Sequence, residues 1–505
     1  MTTPAAAGKV TGAPQDLYER ERMANVRPPG WRNPEPAARY DLVILGGGTA
    51  GLAAAAEARR RGATVALVES ALLGGICLNT GCVPSKSLIH SARLYAQFRC
   101  AGRYGGYVAG QAPVDFPAVM ERMRGIRARI SRADSVAPLA AQGVDVFFGQ
   151  GRFTAADSLS VEGATLSFEK ALVATGARPR IPQIPGLAEA GYLTSDNAFD
   201  QTSLPRRLVV IGGGPLGCEM AQALCRFGAH TTIVQNRPLF LPREERDAAQ
   251  ILATAFARDG LEVRLNTRVV DIRVEDGRKI AELLSDDYKS TIEFDAILTG
   301  AGRAARVEGM DLELAGIIFE EHRGILVDDF LRTSNPRVFA AGDVCLEHRF
   351  NDTANASARI AVQNALGDAT ARWSEMVIPW CTYTDPEIAH VGIYVRQARA
   401  QGIPVRTFTV PMHTVDRAIT DGENTGFVKI HVRDGSDEIL GATIVAHHAG
   451  EMISEITLAM VAGIGLATLS RVIHPYPTQS EAIRMAADAY VSTQYGSDIT
   501  PRLQD

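Results

Sequence analysis

Twice in this chain an apolar, β-branched run ends in a glycine turn that opens directly into an alanine-rich helical pattern. Residues 42–45, the turn 46–51, the helical stretch 51–61 and a second apolar run at 64–68 form the first instance. Residues 208–211, the turn 212–217, the helical stretch 217–227 and the run 231–234 form the second. Each is a strand–helix–strand unit, because the apolar pattern passes from a buried strand to a helix and back. Parallel strands need such a crossover, and two units so far apart in one chain predict two separate dinucleotide-binding domains.

Both turns read G-x-G-x-x-G, with Gly46, Gly48 and Gly51 in the first and Gly212, Gly214 and Gly217 in the second. Glycine lets the backbone turn tightly and approach a pyrophosphate, which then sits at the positive end of the following helix. The turn alone is common, so its context carries the argument. Glu69 ends the next strand about 20 residues on, where an acid bonds ribose hydroxyls. The first site therefore suits an adenine dinucleotide with a free 2′-hydroxyl, and FAD qualifies. After the second unit the chain reads Val234, Gln235, Asn236, Arg237, with no acid. An Arg there can receive a 2′-phosphate, which favours NADPH, with NADH as the alternative. Later apolar runs at 171–174 and 294–298 each end in a Thr-Gly step, Thr175-Gly176 and Thr299-Gly300. From about residue 378, strand-like pieces at 426–432 and 439–445 precede helical stretches at 451–461 and 481–490, an α+β pattern.

Composition excludes several classes of function. The formal net charge of −5 over 505 residues argues against a general affinity for nucleic acid or anionic membrane. No apolar run approaches the roughly 20 residues of a membrane span. Residues 1–38 are rich in Pro, Ala, Arg and Glu without an apolar signal core, and read as a retained extension. Seven cysteines in so long a chain form no disulfide scaffold, and the odd count fits a reducing cytosol. A cytoplasmic protein is expected.

Two of those cysteines stand apart. The stretch Gly74-Gly75-Ile76-Cys77-Leu78-Asn79-Thr80-Gly81-Cys82-Val83-Pro84-Ser85-Lys86 follows the first strand–helix–strand unit, which places it beside a bound flavin. Structural zinc would want a second close Cys or His pair, and none follows, so no metal site is expected. The pattern suits a disulfide that takes two electrons from reduced flavin and leaves a thiolate, whose pKa a helix N-terminus or a nearby cation would lower. Cys100, Cys218, Cys225, Cys345 and Cys381 lack that context and read as small buried hydrophobes.

On these residues the chain resembles the pyridine nucleotide–disulfide oxidoreductases, a group that includes glutathione reductase, dihydrolipoyl dehydrogenase and mercuric reductase. The likeness runs from about residue 40 to 490. Its further markers are Ala174-Thr175-Gly176, Gly300-Ala301-Gly302-Arg303, and Thr333-Ser334-Asn335-Pro336 leading to Ala341-Gly342-Asp343. The resemblance implies that Asp343, after Gly342, holds the FAD ribityl chain, that Cys82 meets the flavin, and that Cys77 exchanges with substrate. Lys86 and Glu219 match a pair near the flavin's reactive nitrogen. The implied architecture is α/β: an extension at 1–39, a Rossmann-like FAD domain at 40–190 and 310–373, a Rossmann-like NAD(P) domain at 191–309, and a C-terminal α+β dimerisation domain at 374–505. A homodimer is implied, in which Tyr476 and Glu481 complete the partner's site.

The departures bear on the electron acceptor. Members that reduce disulfides carry His-Pro-Thr-x-x-Glu near the C-terminus, the His serving as acid and base. Here the chain reads His474-Pro475-Tyr476-Pro477-Thr478-Gln479-Ser480-Glu481, which puts Tyr476 at that His position. A phenol with pKa about 10 is a poor base near neutrality. Mercuric reductase also has Tyr there, yet its C-terminal cysteine pair and N-terminal cysteine module are missing from this chain. The nearest resemblance is to mercuric-reductase-like members, and the expected acceptor is a soft metal ion or a small thiol-reactive compound. The alternatives are dihydrolipoyl dehydrogenase, with His474 as base, and a flavoprotein carrying electrons to a protein partner.

Overall fold

A computed structural model describes residues 15–106 and 113–494; residues 1–14 of the extension and the segment 495–505, where the C-terminal cysteine pair would stand, lie outside the described residues. The chain folds as two compact units, Met1–Val234 with Thr267–Glu375 and Gln235–Asn266 with Met376–Asp505.

The first unit opens with α1 (Leu17–Val26), followed by β1 (Tyr40–Leu45), α2 (Thr49–Arg60), β2 (Val65–Glu69), α3 (Gly75–Thr80), α4 (Cys82–Cys100) and α5 (Phe116–Ser131). Strands β3 (Val144–Phe148), β4 (Arg152–Ala155), β5 (Ser158–Val161) and β6 (Ala164–Val173) complete its main sheet with Val338–Ala340. The order is β3-β2-β1-β6-β5-β4, with Val338–Ala340 on β6. The pairs β3–β2, β2–β1 and β1–β6 are parallel, and α2 makes the crossover between β1 and β2. The continuous apolar run in β1 follows from burial on both faces. Leu42 and Ile44 pack with Ala54, Ala55 and Ala58 of α2, while Val43 and Leu45 pack with Phe153 and Phe168 on the other side.

The second glycine turn has the same frame. Arg207–Ile211 pairs in parallel with His230–Val234 and with Ala296–Thr299. The helix Pro215–Phe227 between the first two buries every residue from Gly217 onward. The apolar run at 294–298 is not one strand. Phe294 ends an antiparallel strand, Tyr288–Phe294, and Ala296 starts a parallel one. Asp295 marks the break and accepts the Arg207 backbone N–H at 2.8 Å. The run at 171–174 is the tail of the longer β6.

Residues 1–39 hold a helix, α1, that the apolar pattern did not announce. Its buried face carries Glu19 and Arg22 beside Val26, so no apolar stripe marks it.

The second unit is built on an antiparallel sheet in the order Pro379–Thr382, Glu387–Gly392, Ile439–Ala446, Phe427–Arg433, Val405–Pro411. Helices Ala449–Val461 and Glu481–Gln494 bury Ile453, Ile456, Ile483 and Tyr490 with the sheet's apolar residues. Among the described residues no helix is long and apolar enough to cross a membrane.

Candidate active site

Both glycine turns are fixed by contacts that only glycine tolerates. Gly46 has φ +104°, and a Cβ there would fall 2.4 Å from the Ala174 carbonyl oxygen. A Cβ on Gly51 would fall 1.8 Å from the Gly46 oxygen. In the second turn Gly212 has φ +102° and a Cβ would meet the Gly300 oxygen at 2.6 Å, while on Gly217 it would meet the Gly212 oxygen at 2.2 Å. The two Thr-Gly steps thus belong to strands that end against the glycine turns. Gly48 and Gly214 are the N-caps of their helices, and neither provides a side chain to satisfy the first N–H groups. Those donors and the helix dipole suit a pyrophosphate.

Glu69 is buried, with one carboxylate oxygen accepting the Gly47 N–H at 2.6 Å and the other the Ala71 N–H at 2.6 Å. Burial pushes its carboxyl up against those two bonds. Each oxygen keeps a second lone pair, so the acid can shape the turn and still accept a ribose hydroxyl. Gly342 has φ +75°; its N–H donates to Ser357 Oγ at 3.0 Å, and a Cβ there would meet Ala50 of α2 at 3.3 Å. Asp343 follows, with Arg303 Nε 3.6 Å away. Burial pushes the Asp343 carboxyl up, while Arg303 and Arg349 pull it down. Arg303 Nε is buried with no hydrogen-bond partner, an orphaned donor beside an acid beyond bonding distance. The glycine cradle, the bare helix end and this orphan all fit a dinucleotide such as FAD. Thr175 and Gly176 are tied to the chain beyond Gly302: Thr175 Oγ1 donates to the Arg306 oxygen at 2.8 Å, and the Arg306 N–H donates to the Gly176 oxygen at 2.9 Å.

The cysteine motif spans two helices. Cys77 lies in α3, and Cys82 is the first residue of the 19-residue α4, with Gly81 between the helices. Gly75, φ +56°, lies so close under the first glycine turn that a Cβ would fall 2.7 Å from Gly48 Cα. The cysteine segment is therefore pinned to the dinucleotide turn through backbone. Both cysteines are free thiols. The hydrogen bond from Cys77 is the main cause that pulls Cys82 down to about 7; burial opposes it and the Lys86 ammonium helps. Cys77 is pushed up by that same bond and by burial. Cys82 also sits at a helix N-terminus, the place where a thiolate is stabilised. Lys86 Nζ donates to Glu219 Oε2 at 2.8 Å, and the Glu219 side chain is only 4% exposed. Edge-to-face contacts of Phe227 with Tyr95 and Phe116 bring that helix against α4 and α5 and so align the pair.

Arg237 is exposed three residues beyond the strand His230–Val234, and its carbonyl accepts the Asn266 N–H at 3.0 Å. In the second unit Tyr476 is 71% exposed and its hydroxyl donates to Asp416 Oδ2 at 2.8 Å, which pushes the phenol up. Glu481 accepts from Arg484 at 2.8 Å rather than from Tyr476. His474 Nε2 lies 3.0 Å from Glu455 Oε1, and its Nδ1 is buried with no partner. Asp416 and Glu455 escaped the reading of the sequence, since no motif spacing marks them; Arg303 and Asn79 stand inside motifs, which assign their side chains no role. Nor does spacing reveal the convergence of Asp385, Glu423 and His447, whose donor atoms lie within 4.8 Å of one another in three loops. Of the other cysteines, Cys218 and Cys225 are buried as expected, but Cys100 is exposed because it ends α4.

The family profile for pyridine nucleotide-disulphide oxidoreductases matches residues 40–365, and that for their dimerisation domain matches residues 378–487. The chain is similar to the mercuric reductase of Streptomyces lividans, 34% identical over 90% of this chain and 96% of that protein. It is also similar to the dihydrolipoyl dehydrogenase of Bacillus subtilis, at 33% over 89% and 98%. Among solved structures it resembles the HOCl-induced flavoprotein disulfide reductase RclA of Escherichia coli, with 29% identity and a TM-score of 0.80 over 89% of this chain and 99% of that one. RclA has also been solved as a Cu(II) complex. With its glycine cradles, its paired cysteines and profiles that span most of its length, the chain belongs to the pyridine nucleotide-disulphide oxidoreductases, FAD-dependent enzymes that use a pyridine nucleotide.

Proposed function

We propose that this flavoenzyme takes electrons from NADPH and passes them through the Cys77–Cys82 pair to a soft metal ion or a small thiol-reactive compound. The observation that carries the reading is Cys82 at the start of α4, hydrogen-bonded by Cys77 and near the Lys86–Glu219 pair. When bound, FAD supplies a two-electron relay between nicotinamide and disulfide. The protein's own groups do the rest. The S–S bond takes up two electrons and breaks; Cys77 takes up one proton from water, to be released when the bond re-forms, and Cys82 remains a thiolate, with Lys86 as the nearby counter-charge. Oxidation of the pair re-forms the S–S bond and delivers two electrons to the acceptor, so that Hg(II) would leave as the metal.

Tyr476 favours a metal over a disulfide, because no leaving thiol then needs a proton, and mercuric reductases stand among the relatives. The assignment of 40–190 with 310–373 to FAD, 191–309 to NAD(P) and 374–505 to a homodimer interface belongs to the same reading, as does a cytoplasmic location. NADPH rests on Gln235 and Arg237. A charge-assisted Arg–phosphate bond contributes about 1.5–3 kcal/mol, so Arg237→Ala should erode the NADPH preference in kcat/KM roughly ten- to a hundredfold. A specific observation favours a second reading: the His474–Glu455 contact is a ready acid–base dyad, as dihydrolipoyl dehydrogenase activity would require. The deciding experiment is anaerobic reduction with NADPH followed by Hg(II), Cu(II), oxidised lipoamide, glutathione disulfide and quinones. Brisk turnover of the metals with feeble lipoamide reduction supports the proposal; the reverse selects the second reading. Turnover of none of them points to electron transfer to a protein.

A further inference from the structure

Helix α1 buries charge where a helix normally buries aliphatic side chains. Glu19 and Arg22 are 4% and 6% exposed, and such burial persists only where the charges are paired. Arg22 grips Glu19 through two nitrogens, with Nε donating at 3.1 Å and Nη2 to the second oxygen. Arg127 of α5 adds a bond to Glu19 at 2.9 Å. Burial works against the Glu19 carboxylate, yet Arg22 and Arg127 hold it below the usual range. Arg22 has one more nitrogen to place, and Nη1 donates to the Asn79 side-chain oxygen.

Asn79 lies within the redox motif, between Cys77 and Cys82 in α3. Its amide donates to the carbonyls of Leu73 at 2.9 Å and Gly75 at 2.8 Å, and its own carbonyl accepts from Arg127 at 2.8 Å. The bonds reach back to the glycine pair under the dinucleotide turn, so Asn79 fixes the α3 turn at both ends. The Arg22 bond comes from the extension. The extension is also tied to the loop after Glu69: the Leu73 N–H donates to the Val26 oxygen at 3.1 Å, and Arg27 donates to the Ser70 and Ala71 oxygens, each at 2.9 Å.

We propose that α1 is a positioning element of the redox centre: Arg22, clamped by Glu19, holds Asn79 and through it the turn that carries Cys77. The proposal rests on the reading of Cys77 and Cys82 as the redox pair. With Glu19 and Asp200 negative and Arg22 and Arg127 positive, the buried cluster balances, and loss of Arg22 leaves it a surplus negative charge. Asp200 faces the cluster, Asp134 faces Cys77, and Lys86 and Glu219 face Cys82. A surplus negative charge beside Asn79, which lies between the two cysteines in the chain, disfavours the thiolate relative to both thiol and disulfide.

The test is Arg22→Met in the full-length, FAD-loaded enzyme, read by pH titration of the long-wavelength thiolate absorbance and by the dithiol–disulfide potential. The half-point pH should rise, and the equilibrium should move roughly tenfold toward disulfide, a potential about 30 mV lower. Arg22→Lys, which keeps the charge but not the fork, should recover part of both shifts. Arg20→Met, on the exposed side of the same helix, should change neither. An FAD-loaded Arg22→Met with wild-type half-point and potential overturns the proposal. If Arg22→Met does not hold FAD, Asn79→Ala must move the same two readouts, and unchanged values there overturn it equally. Wild-type enzyme that shows no long-wavelength band on reduction removes the redox-pair reading itself, whereas a normal wild-type band with unmoved variants removes only the role of α1.

Discussion

In the first unit the groups of the site meet partners inside the same fold. Glu69 holds its own glycine turn, Gly75 lies under Gly48, and Lys86 reaches Glu219. In the second unit one residue expected to act, Tyr476, stands outward, while the His474 and Glu481 side chains are largely buried. Tyr476 is 71% exposed, Ile473 is 95% exposed, and Leu458 and Val461 share one exposed helix face. An exposed Ile or Leu alone needs no explanation, but several beside the segment with the acid–base candidates suit a surface that a partner covers. Under the proposed function, the first unit holds the redox groups and the second lends its outward face to another copy.

The largest effect tests how rigid the first region is. Gly51→Ala places a methyl carbon 1.8 Å from the Gly46 oxygen, a clash with backbone that cannot swing away. We expect a loss of about 3 kcal/mol or more and little retained FAD, seen by thermal melting and visible absorbance. Gly214→Ala is the control. Its φ is −81° and a Cβ there meets nothing within 4 Å, so the melt should stay within about 0.5 kcal/mol of wild type.

Next in size is the sulfur pair. Without Cys77 no disulfide forms, so acceptor turnover should fall to background while the long-wavelength thiolate band appears without reductant. The thiolate is the deprotonated form, so the band grows as pH rises, with its midpoint at about 7 in the wild-type dithiol. The hydrogen bond from Cys77 is the main cause of that low value. Cys77→Ser keeps a hydroxyl donor and should titrate near the wild-type point, whereas Cys77→Ala should titrate higher. A band that survives in Cys82→Ser and vanishes in Cys77→Ser would reverse the two roles.

The comparison also explains what the sequence could reveal. Backbone constraints were legible: a glycine is chosen because no side chain fits, so Gly46, Gly51, Gly212 and Gly217 spell out both cradles in the chain itself. The buried strands were legible for the same reason, although Phe294 and Ile297 read as one run because Asp295 alone marks the change of sheet. Side-chain partners brought together by the fold were not. Glu219 was placed beside Lys86 only by family likeness, and Asp416 and Arg303 carry no periodic signal. Helix α1 was missed because its inner face is ionic, and a pattern search for apolar stripes passes over Glu19 and Arg22.

A smaller effect tests the outward face. Ile473→Asp puts a charge at the exposed position of Ile473. If a second copy covers it, sedimentation should show a weakened dimer. The thiolate band of the first unit should persist in the resulting monomer while acceptor turnover falls. A dimer of unchanged strength would place the interface elsewhere.

The smallest expected effect is at Tyr476, and it tests what the second unit lends. General acid–base help is typically worth roughly 10²–10⁴-fold, but only when a third group orients the base. In this chain Glu481 is engaged by Arg484, and the group that meets the Tyr476 hydroxyl is Asp416. An imidazole at 476 would thus find Asp416 rather than Glu481 as its carboxylate, in a position not built for it. Tyr476→His should therefore raise lipoamide and glutathione disulfide reduction only a few-fold, well short of the full range, and leave metal reduction flat or lower. Tyr476→His with Arg484→Met frees Glu481 and should raise disulfide reduction further. If wild-type enzyme already reduces lipoamide briskly, and His474→Ala abolishes that while Tyr476→His changes little, the base is His474 held by Glu455, and the acceptor is a disulfide.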